Sequence, residues 1–428
     1  MNKELTNGRL RLRCFWLVVL FAITTNAFSQ SGSSLTIEEC YKLAQNNFPL
    51  VKQMVLIDKT KDYSISNAAK GYLPQFIING QGTYQSEVTS ISIPGISRPA
   101  LSKDQYKIYG EVNQSMTDFA TIKQQKELAK ANAETEQQKN EVELYKLKER
   151  INQIYFGILL IDAQIVQTYL LKKDIQSGID KTNAAIANGT ALKSNGDNLQ
   201  AELLKTDQRN IELLANRKGY ADMLALFIAK PVTENTKLIT PVPLVILSTI
   251  NRPELKLYET QKRSFDIQDK LITAKNLPKV GVFFQGGYGR PGLNFLTNEF
   301  ATYYLGGLKL NWNFGGLYTE KNDRSLLKIN RQAIDVQKEV FLFNTNLSLT
   351  QQSSEVDKFK KLIITDNEII RLREKVKTTA KSQLENGVIT TNDFLAYVNA
   401  EDLARQNLLL HQVQLNLAQF NYQNTSGN

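Results

Sequence analysis

The side chains that most often carry chemistry are scarce in this chain. There is one histidine, His411, and there are two cysteines, Cys14 and Cys40. His411 stands alone in a helical pattern. Zinc sites gather several Cys and His ligands at short spacing, so His411 reads as a surface or packing residue. No nucleophile elbow, zinc spacing or phosphate loop occurs. Gly286-Gly287-Tyr288-Gly289 is glycine-rich, but it lies inside an alternating pattern with no helix after it, and reads as strand backbone. Carboxylates are spread over polar helical faces, and no pair is singled out. No catalytic residue, cofactor or metal is therefore expected, and the chain does not read as an enzyme. What remains is charge and backbone shape at a few special points. Asn392 or Asp393 can cap the last helix, and a carboxylate there is favoured by the macrodipole. Asn188-Gly189 and Asn386-Gly387 each carry the glycine that lets a helix stop in a left-handed cap.

The N-terminus reads as an export signal, residues 1–29. Lys3, Arg9, Arg11 and Arg13 precede an apolar stretch from Cys14 to Ile23, and Ala27 and Ser29 suit cleavage before Gln30. Cys14 leaves with the signal, so Cys40 alone forms no internal disulfide, and no cysteine stands at the new N-terminus for lipidation. The formal charge of +10 loses four basic groups and one acidic group on cleavage, leaving 48 − 41 = +7. Basic and acidic residues are interleaved, which is the pattern of solvated helix faces and not of a nucleic-acid surface. A spanning helix needs roughly 20 apolar residues. The longest later candidate, Tyr155 to Ile161, is flanked by Gln153 and Asp162, so no transmembrane helix is expected.

Those special points sit in a pattern written twice. Leu73-Pro74 returns as Leu277-Pro278. Each leads into an alternating, glycine-bearing run that contains a tyrosine, Tyr84 and Tyr288. A second alternating run follows each, then a long polar helix, then Asn-Gly. The strand ends at Asn113 and Asn311 and the stops at Gly189 and Gly387 share one offset, 311 − 113 = 387 − 189 = 198. The Leu-Pro landmark is displaced by 278 − 74 = 204. The first repeat covers 30–230, a linker 231–252, and the second repeat 253–428. Each is predicted to run helix (about 49–71 and 253–275), two strands, long helix (118–187 and 318–386), turn, shorter helix (197–229 and 393–423). A helix over 35–47 opens the mature chain, with Thr36 and Glu39 as a capping box. Prolines 231, 241, 243 and 253 exclude a continuous helix through the linker.

The long segments read as coiled helices. Ile329, Ala333, Val336, Val340, Phe343 and Leu347 step by four and three, a seam of period 3.5. Leu362, Ile369, Leu372 and Val376 resume it, and Leu144, Ile151, Ile154, Ile158 and Ile165 keep similar steps in the first copy. In the last helix the positions are Leu410, Val413, Leu417 and Phe420. A 70-residue helix is about 105 Å long, so a bundle of coiled helices is expected.

The strand pairs read as a membrane wall. In 75–84, Phe76, Ile78 and Tyr84 point one way and Gln75, Asn79, Gln81 and Thr83 the other. In 280–288, Val282, Phe284 and Tyr288 oppose Gln285 and Gly287. In 304–314, Tyr304, Leu308, Leu310, Trp312 and Phe314 oppose Lys309, Asn311 and Asn313. Alternation over about ten residues with aromatics near the ends is the outer-membrane strand pattern. The expected lipid-facing positions are Phe76, Ile78, Tyr84, Val282, Phe284, Tyr288, Trp312 and Phe314. Four strands are too few for a barrel, which takes about eight or more, and open edges do not persist in lipid. Several chains must pool their strands; three give twelve, wide enough for a pore.

On these features the sequence resembles the TolC-like outer-membrane efflux family. The features are the turns at Leu73-Pro74 and Leu277-Pro278, the duplicated helix–strand–strand–helix order, and the segment Gln383-Leu384-Glu385-Asn386-Gly387 through Asp393-Phe394-Leu395. The resemblance implies a mainly α fold with a small β part. That fold is a homotrimer with a long coiled α-helical barrel in the periplasm and a twelve-stranded β-barrel in the outer membrane. It implies a passive exit duct of a tripartite efflux or type I secretion system, docked to a periplasmic adaptor (membrane fusion) protein and an inner-membrane pump or exporter, with no nucleic acid involved. Asn188, Gly189, Asn386 and Gly387 would form the periplasmic tips that contact the adaptor. The family closes its periplasmic end with acidic residues six and nine positions after the second glycine. Here these are Asp393, which matches as a pore gate, and Ala396, which does not. The alternative is a periplasmic coiled-coil adaptor or scaffold without a membrane barrel.

Overall fold

The computed structural model describes residues 34–89, 101–242 and 249–428. The predicted export signal and part of the linker lie outside the described residues. A short strand β1 (Ser34–Leu35) is followed by α1 (Ile37–Asn47) and α2 (Val51–Ala69). Then come β2 (Gln75–Tyr84), β3 (Asp104–Ser115), the long α3 (Phe119–Ala187) and α4 (Lys193–Ile228). The second half runs β4 (Lys237–Leu238), α5 (Pro253–Lys275), β5 (Lys279–Arg290), β6 (Ala301–Asn311), the long α6 (Gly315–Glu385) and α7 (Thr391–Ser426).

The helices begin and end where local chemistry requires. Thr36 accepts from the Glu39 amide at 3.2 Å through its hydroxyl oxygen, satisfying one orphan donor at the start of α1. Pro253 sits in the first turn of α5, where its missing N–H costs nothing. Leu73-Pro74 and Leu277-Pro278 stand immediately before β2 and β5, because a residue preceding proline is pushed out of helical backbone. The linker is not wholly irregular. Within it β4 pairs in parallel with β1, Leu35 opposite Leu238.

The chain divides into two compact units that cut across the repeats, because both long helices contribute to each. Unit 1 comprises residues up to Leu43, Ile151–Val242 and Ile363–Val413. Its apolar run in α3 turns inward: Ile151, Ile154, Tyr155, Phe156 and Ile158 are all buried. This corrects one expectation. By length and composition a stretch of α3 is apolar enough to cross a membrane, with a mean hydropathy of 1.5. The buried side chains just named are the protein's own core. Tyr155 lies beneath the β1–β4 pair, its hydroxyl 2.8 Å from the Leu35 carbonyl oxygen and 2.7 Å from that of Ile239. Burial pushes this phenol well above its usual range, so it remains a donor. Cys40 is buried too, and burial with the neighbouring Glu39 and Glu38 pushes its thiol up to about 12.

Unit 2 comprises Ala44–Arg150, Pro243–Leu362 and Gln414–Asn428, and here the duplication is visible in three dimensions. Gln75 pairs with Asn113, and Lys279 with Asn311, displaced by the same 204 and 198 positions read from the sequence. The helices repeat it. Asp58 of α2 accepts from Gln137 of α3 at 2.8 Å; at the equivalent positions Lys262 of α5 donates to Asp335 of α6 at 2.7 Å. The two copies differ in what covers them. Ala131, Thr135, Gln138 and Val142 of α3 are buried. Their counterparts on α6 are Ile329, Ala333, Val336 and Val340, the 3.5-residue seam, and they are exposed.

Replacing Tyr155 with Phe removes the hydroxyl that reaches both the Leu35 and the Ile239 carbonyls. It is expected to lower stability by about 1–2 kcal/mol, read as a fall in the thermal or denaturant midpoint of the purified protein.

Candidate channel wall and tips

Backbone register decides which side chains share a face. The sheet order is β2-β3-β5-β6, all antiparallel. Val112 lies opposite both Phe76 and Phe284, and Ile108 opposite both Gly80 and Tyr288. Val282 lies opposite Leu308, and Val280 opposite Leu310. Since opposed residues point to the same side of a sheet, one face collects Phe76, Ile78, Tyr84, Tyr106, Ile108, Val112, Val280, Val282, Phe284, Tyr288, Tyr304, Leu308 and Leu310. The other face collects Gln75, Asn79, Gln81, Thr83, Lys107, Glu111, Asn113, Lys279, Gln285, Lys309 and Asn311, with Ile77, Tyr109, Phe283, Tyr303 and Leu305 among them, so it is mainly polar. The apolar face is uncovered. Phe76 is 68%, Ile78 69%, Tyr304 75% and Leu308 76% exposed. A contiguous apolar surface of this kind on one chain marks contact with something other than water.

Of the eight expected lipid-facing residues, Phe76, Ile78, Tyr84, Val282, Phe284 and Tyr288 fall on this face. Trp312 and Phe314 do not lie in a strand, because β6 ends at Asn311. Their rings pack on each other at 4.7 Å, and the Trp312 indole N–H donates to the Asn276 carbonyl at 3.1 Å. The next residue, Asn313, accepts from the Gly315 amide at 2.9 Å to start α6. A tether and a cap thus end the strand early. Tyr106, Ile108 and Val112 of β3 belong to the face and were not singled out from the sequence. Their alternation with Lys107, Glu111 and Asn113 was the available signal. Gly287 fits β5 because a Cβ there would meet the Ile108 carbonyl oxygen at 2.6 Å, so the glycine-rich run is strand backbone.

The two turns are built alike. Gly189 and Gly387 have φ of +74° and +68°, the left-handed region that favours glycine. At the first, the Gly189 amide donates to Ile186 at 3.0 Å and the Thr190 amide to Ala185 at 2.9 Å. At the second, the Gly387 amide donates to Leu384 at 3.1 Å and the Val388 amide to Gln383 at 2.8 Å. Both are Schellman stops. Behind them, Leu171, Ile175 and Ile179 of α3 cluster with Leu199 and Leu203 of α4, Ala380 of α6, and Phe394 and Val398 of α7. Lys181 bridges to Glu385, and Lys377 to both Asp174 and Glu401 at 2.9 and 3.0 Å.

Asp393 is held in a cap, but the capping residue is Thr390, not Asn392 or Asp393 itself. The Asp393 amide donates to the Thr390 hydroxyl oxygen at 3.2 Å, and the Asp393 carboxylate accepts from the Thr390 amide at 3.0 Å and hydroxyl at 2.6 Å. This is a capping box, with Asp in the place of Glu. Those hydrogen bonds hold the carboxyl below its ordinary value of 3.8. Asp393 and Ala396 are both exposed. The first copy has no such box: α4 starts at Leu192 without a side-chain cap. His411 pairs through Nδ1 with the buried Asp366 at 2.6 Å, which supports a packing role. Among the described residues no group of His, Cys, Asp and Glu has the arrangement to hold a metal ion.

No family model and no curated protein matches the chain by sequence. Solved structures do match. The outer-membrane protein VceC of Vibrio cholerae aligns over 92% of this chain and 96% of its own, with a TM-score of 0.66 at 12% identity. The outer-membrane channel OprN aligns over 91% and 89%, with a TM-score of 0.65 at 12% identity. The MtrE outer-membrane channel of Neisseria gonorrhoeae, solved in an open state, aligns over 91% and 89%, with a TM-score of 0.62 at 14% identity. This chain has the TolC-like outer-membrane channel fold. The match spans nearly the whole of both partners, so the TolC-like fold takes in the sheet and all the long helices. At such low identity it fixes architecture and carries no individual side chain, which is why each residue above is placed by its own contacts.

Thr390→Ala removes the cap of α7 and is expected to cost about 1 kcal/mol, read as faster amide exchange over residues 391–394. The pH dependence has a definite sign. The Asp393 carboxyl has a lowered folded pKa, so its capping contribution is complete above 3.8 and is lost as pH falls through the lower folded value. Exchange in this turn should be insensitive to that carboxyl from pH 8 to 5 and should rise only in stronger acid.

Proposed function

We propose that the chain is one protomer of a homotrimeric outer-membrane export duct. In this reading the protein is a passive exit for an efflux or type I secretion system and not an enzyme. The observation that carries it is the sheet: four strands, one apolar face, one mainly polar face and, among the described residues, two unpaired edges, β2 and β6. In hydrocarbon each unpaired backbone group costs several kcal/mol. An apolar-out, polar-in sheet therefore has to close on itself, and one chain is too short to do so. Because neighbours alternate in direction through the sheet, β6 of one chain meets β2 of the next antiparallel. Three chains make a closed twelve-stranded barrel with a polar lumen. The exposed α6 seam supports the same reading, since a 3.5-residue apolar stripe is built for a partner helix. The match to outer-membrane channels agrees with it.

The rest follows by resemblance. The export signal delivers the chain to the periplasm. The turns at Asn188-Gly189 and Asn386-Gly387 are the tips that meet a periplasmic adaptor, which links the duct to an inner-membrane pump or exporter. Asp393 stands beside one of these turns, ionised and exposed, and in a trimer supplies a ring of three carboxylates. A ring of like charge at a narrow mouth favours cations or holds a divalent ion. The second acidic ring of the family is missing at Ala396. Capping and gating use the same carboxylate, and the capping box keeps it charged.

Expressed with its signal, the protein should fractionate with outer membranes. In detergent it should run as a trimer that dissociates on heating, and it should conduct ions in planar bilayers. A water-soluble monomer that needs no detergent overturns the proposal. For the gate, Asp393→Asn keeps an acceptor for the cap and removes the charge. The expected result is higher single-channel conductance and weaker divalent-ion block with the trimer intact; unchanged conductance and block reject the gate. At the tips, Gly387→Val forces a β-branched residue into left-handed backbone, at about 1–2 kcal/mol. It is expected to weaken crosslinking to the adaptor, and equal crosslinking rejects that assignment.

A further inference from the structure

The duplication allows the join between chains to be specified residue by residue. Within one chain, the first repeat already meets the second. On the sheet this contact is β3 against β5, with Asn113 opposite Phe283 and Ser115 opposite Gly281. On the helices it is α3 against α5. Ser264 donates to Asn132 at 2.9 Å, Arg263 pairs with Glu134 at 2.7 Å, and Gln138 reaches the Pro253 carbonyl at 3.2 Å. Ser264 and Ile267 are buried on α5, as are Ala131, Thr135, Gln138 and Val142 on α3.

Each partner has a counterpart that lacks its cover. Positions on β3 and α3 recur 198 residues later on β6 and α6, and positions on β5 and α5 recur 204 residues earlier on β2 and α2. The prolines that open these two helical segments, Pro49 and Pro253, keep the 204 spacing. At the positions of Ser264 and Ile267, α2 carries Thr60 and Tyr63, both exposed, Tyr63 by 71%. No residue of α2 is buried. At the positions of the buried α3 residues, α6 carries the exposed seam. What is covered where the two repeats meet is bare on the outward sides of α2 and α6.

We infer that a second copy of this chain supplies the missing repeat in the same register, so that α6 and β6 of one copy receive α2 and β2 of the next as α3 and β3 receive α5 and β5. Asn330 then meets the neighbour's Thr60, as Asn132 meets Ser264, and Gln332 meets Lys59. The α6 seam, Ile329 to Val340, covers the neighbour's Tyr63. On the sheet, Leu308 lies opposite the neighbour's Gly82, Lys309 opposite Gln81 and Asn311 opposite Asn79. This register keeps the faces consistent: Leu308 and Gly82 are both on the apolar side, Lys309 and Gln81 both on the polar side. A one-residue slip would put Lys309 against the lipid face. The inference rests on the channel reading and adds its register and its side-chain pairs.

Cysteine pairs test it in the full-length protein, in outer membranes under mild oxidation. Among the described residues the native thiol, Cys40, is buried, so the background is quiet. Thr60→Cys with Asn330→Cys, and separately Gln81→Cys with Lys309→Cys, should give crosslinked dimers and trimers on denaturing gels, and neither single variant should. The pair Thr83→Cys with Lys309→Cys is shifted by two. Direct cross-strand partners lie about 5 Å apart and diagonal ones about 7–8 Å, while a disulfide needs Cβ atoms about 4 Å apart, so the shifted pair should link far less. A trimer in detergent whose shifted pair links best, or whose helical and strand pairs both fail, overturns the register and leaves the channel reading standing. A monomer by mass in detergent, with no links, overturns both.

Discussion

A β-sheet that ends leaves a row of backbone donors and acceptors, and that row is the constraint around which this protein is organised. Within the chain, β3 and β5 are paired on both sides, and β2 and β6 on one side only. These outer strands are ten and eleven residues long. Neither is short and neither contains a proline, two of the usual protections of an edge. Water can satisfy such a row, but hydrocarbon cannot. The apolar side chains set beside it, Phe76 and Ile78 on β2 and Leu308 and Leu310 on β6, are equally unsuited to water. Edge and face make opposite demands on solvent, and in the proposed trimer both are met where the sheet continues into another like it.

Duplication meets these demands with little sequence. The same helix–strand–strand–helix unit is used twice, and its two copies meet through β3 and β5 in a register of their own: Asn113 faces Gln75 on one side and Phe283, the counterpart of Asn79, on the other. Polar contacts follow the repetition loosely: the hydrogen bond of Gln137 to Asp58 becomes the ion pair of Lys262 with Asp335. The geometry of a contact has been kept while its chemistry has drifted. Burial has not been kept. Tyr63 stands bare where Ile267 is covered.

Much of this was legible in the residues. Periodicity gave the long helices, alternation gave β2 and β5 nearly to the residue, and the Asn-Gly pairs gave both turns. These signals are local, which is why a single sequence holds them. Where tertiary contacts intervene, the reading failed. Trp312 and Phe314 continue the alternation of β6, but the Asn276 carbonyl captures the indole and Asn313 starts the next helix. The apolar run near Tyr155 was set aside as too short for a span because Gln153 and Asp162 bracket it, although a longer stretch of the same helix is apolar enough by composition. Thr390 was passed over as a cap because the capping box ends in Asp at its fourth position, where Glu or Gln is the usual signal. The 3.5-residue stripe on α6 stands exposed, and nothing in its spacing says whether a partner helix lies in the same chain.

The unequal starts of α4 and α7 carry one more consequence. Helix α7 begins with a closed ring of three hydrogen bonds around Thr390 and Asp393, whereas α4 begins at Leu192 with its first amides answered by no side chain. Helix ends fray in proportion to what holds them. The hairpin formed by α3 and α4 is therefore the softer of the two and unwinds its first turn before its twin does.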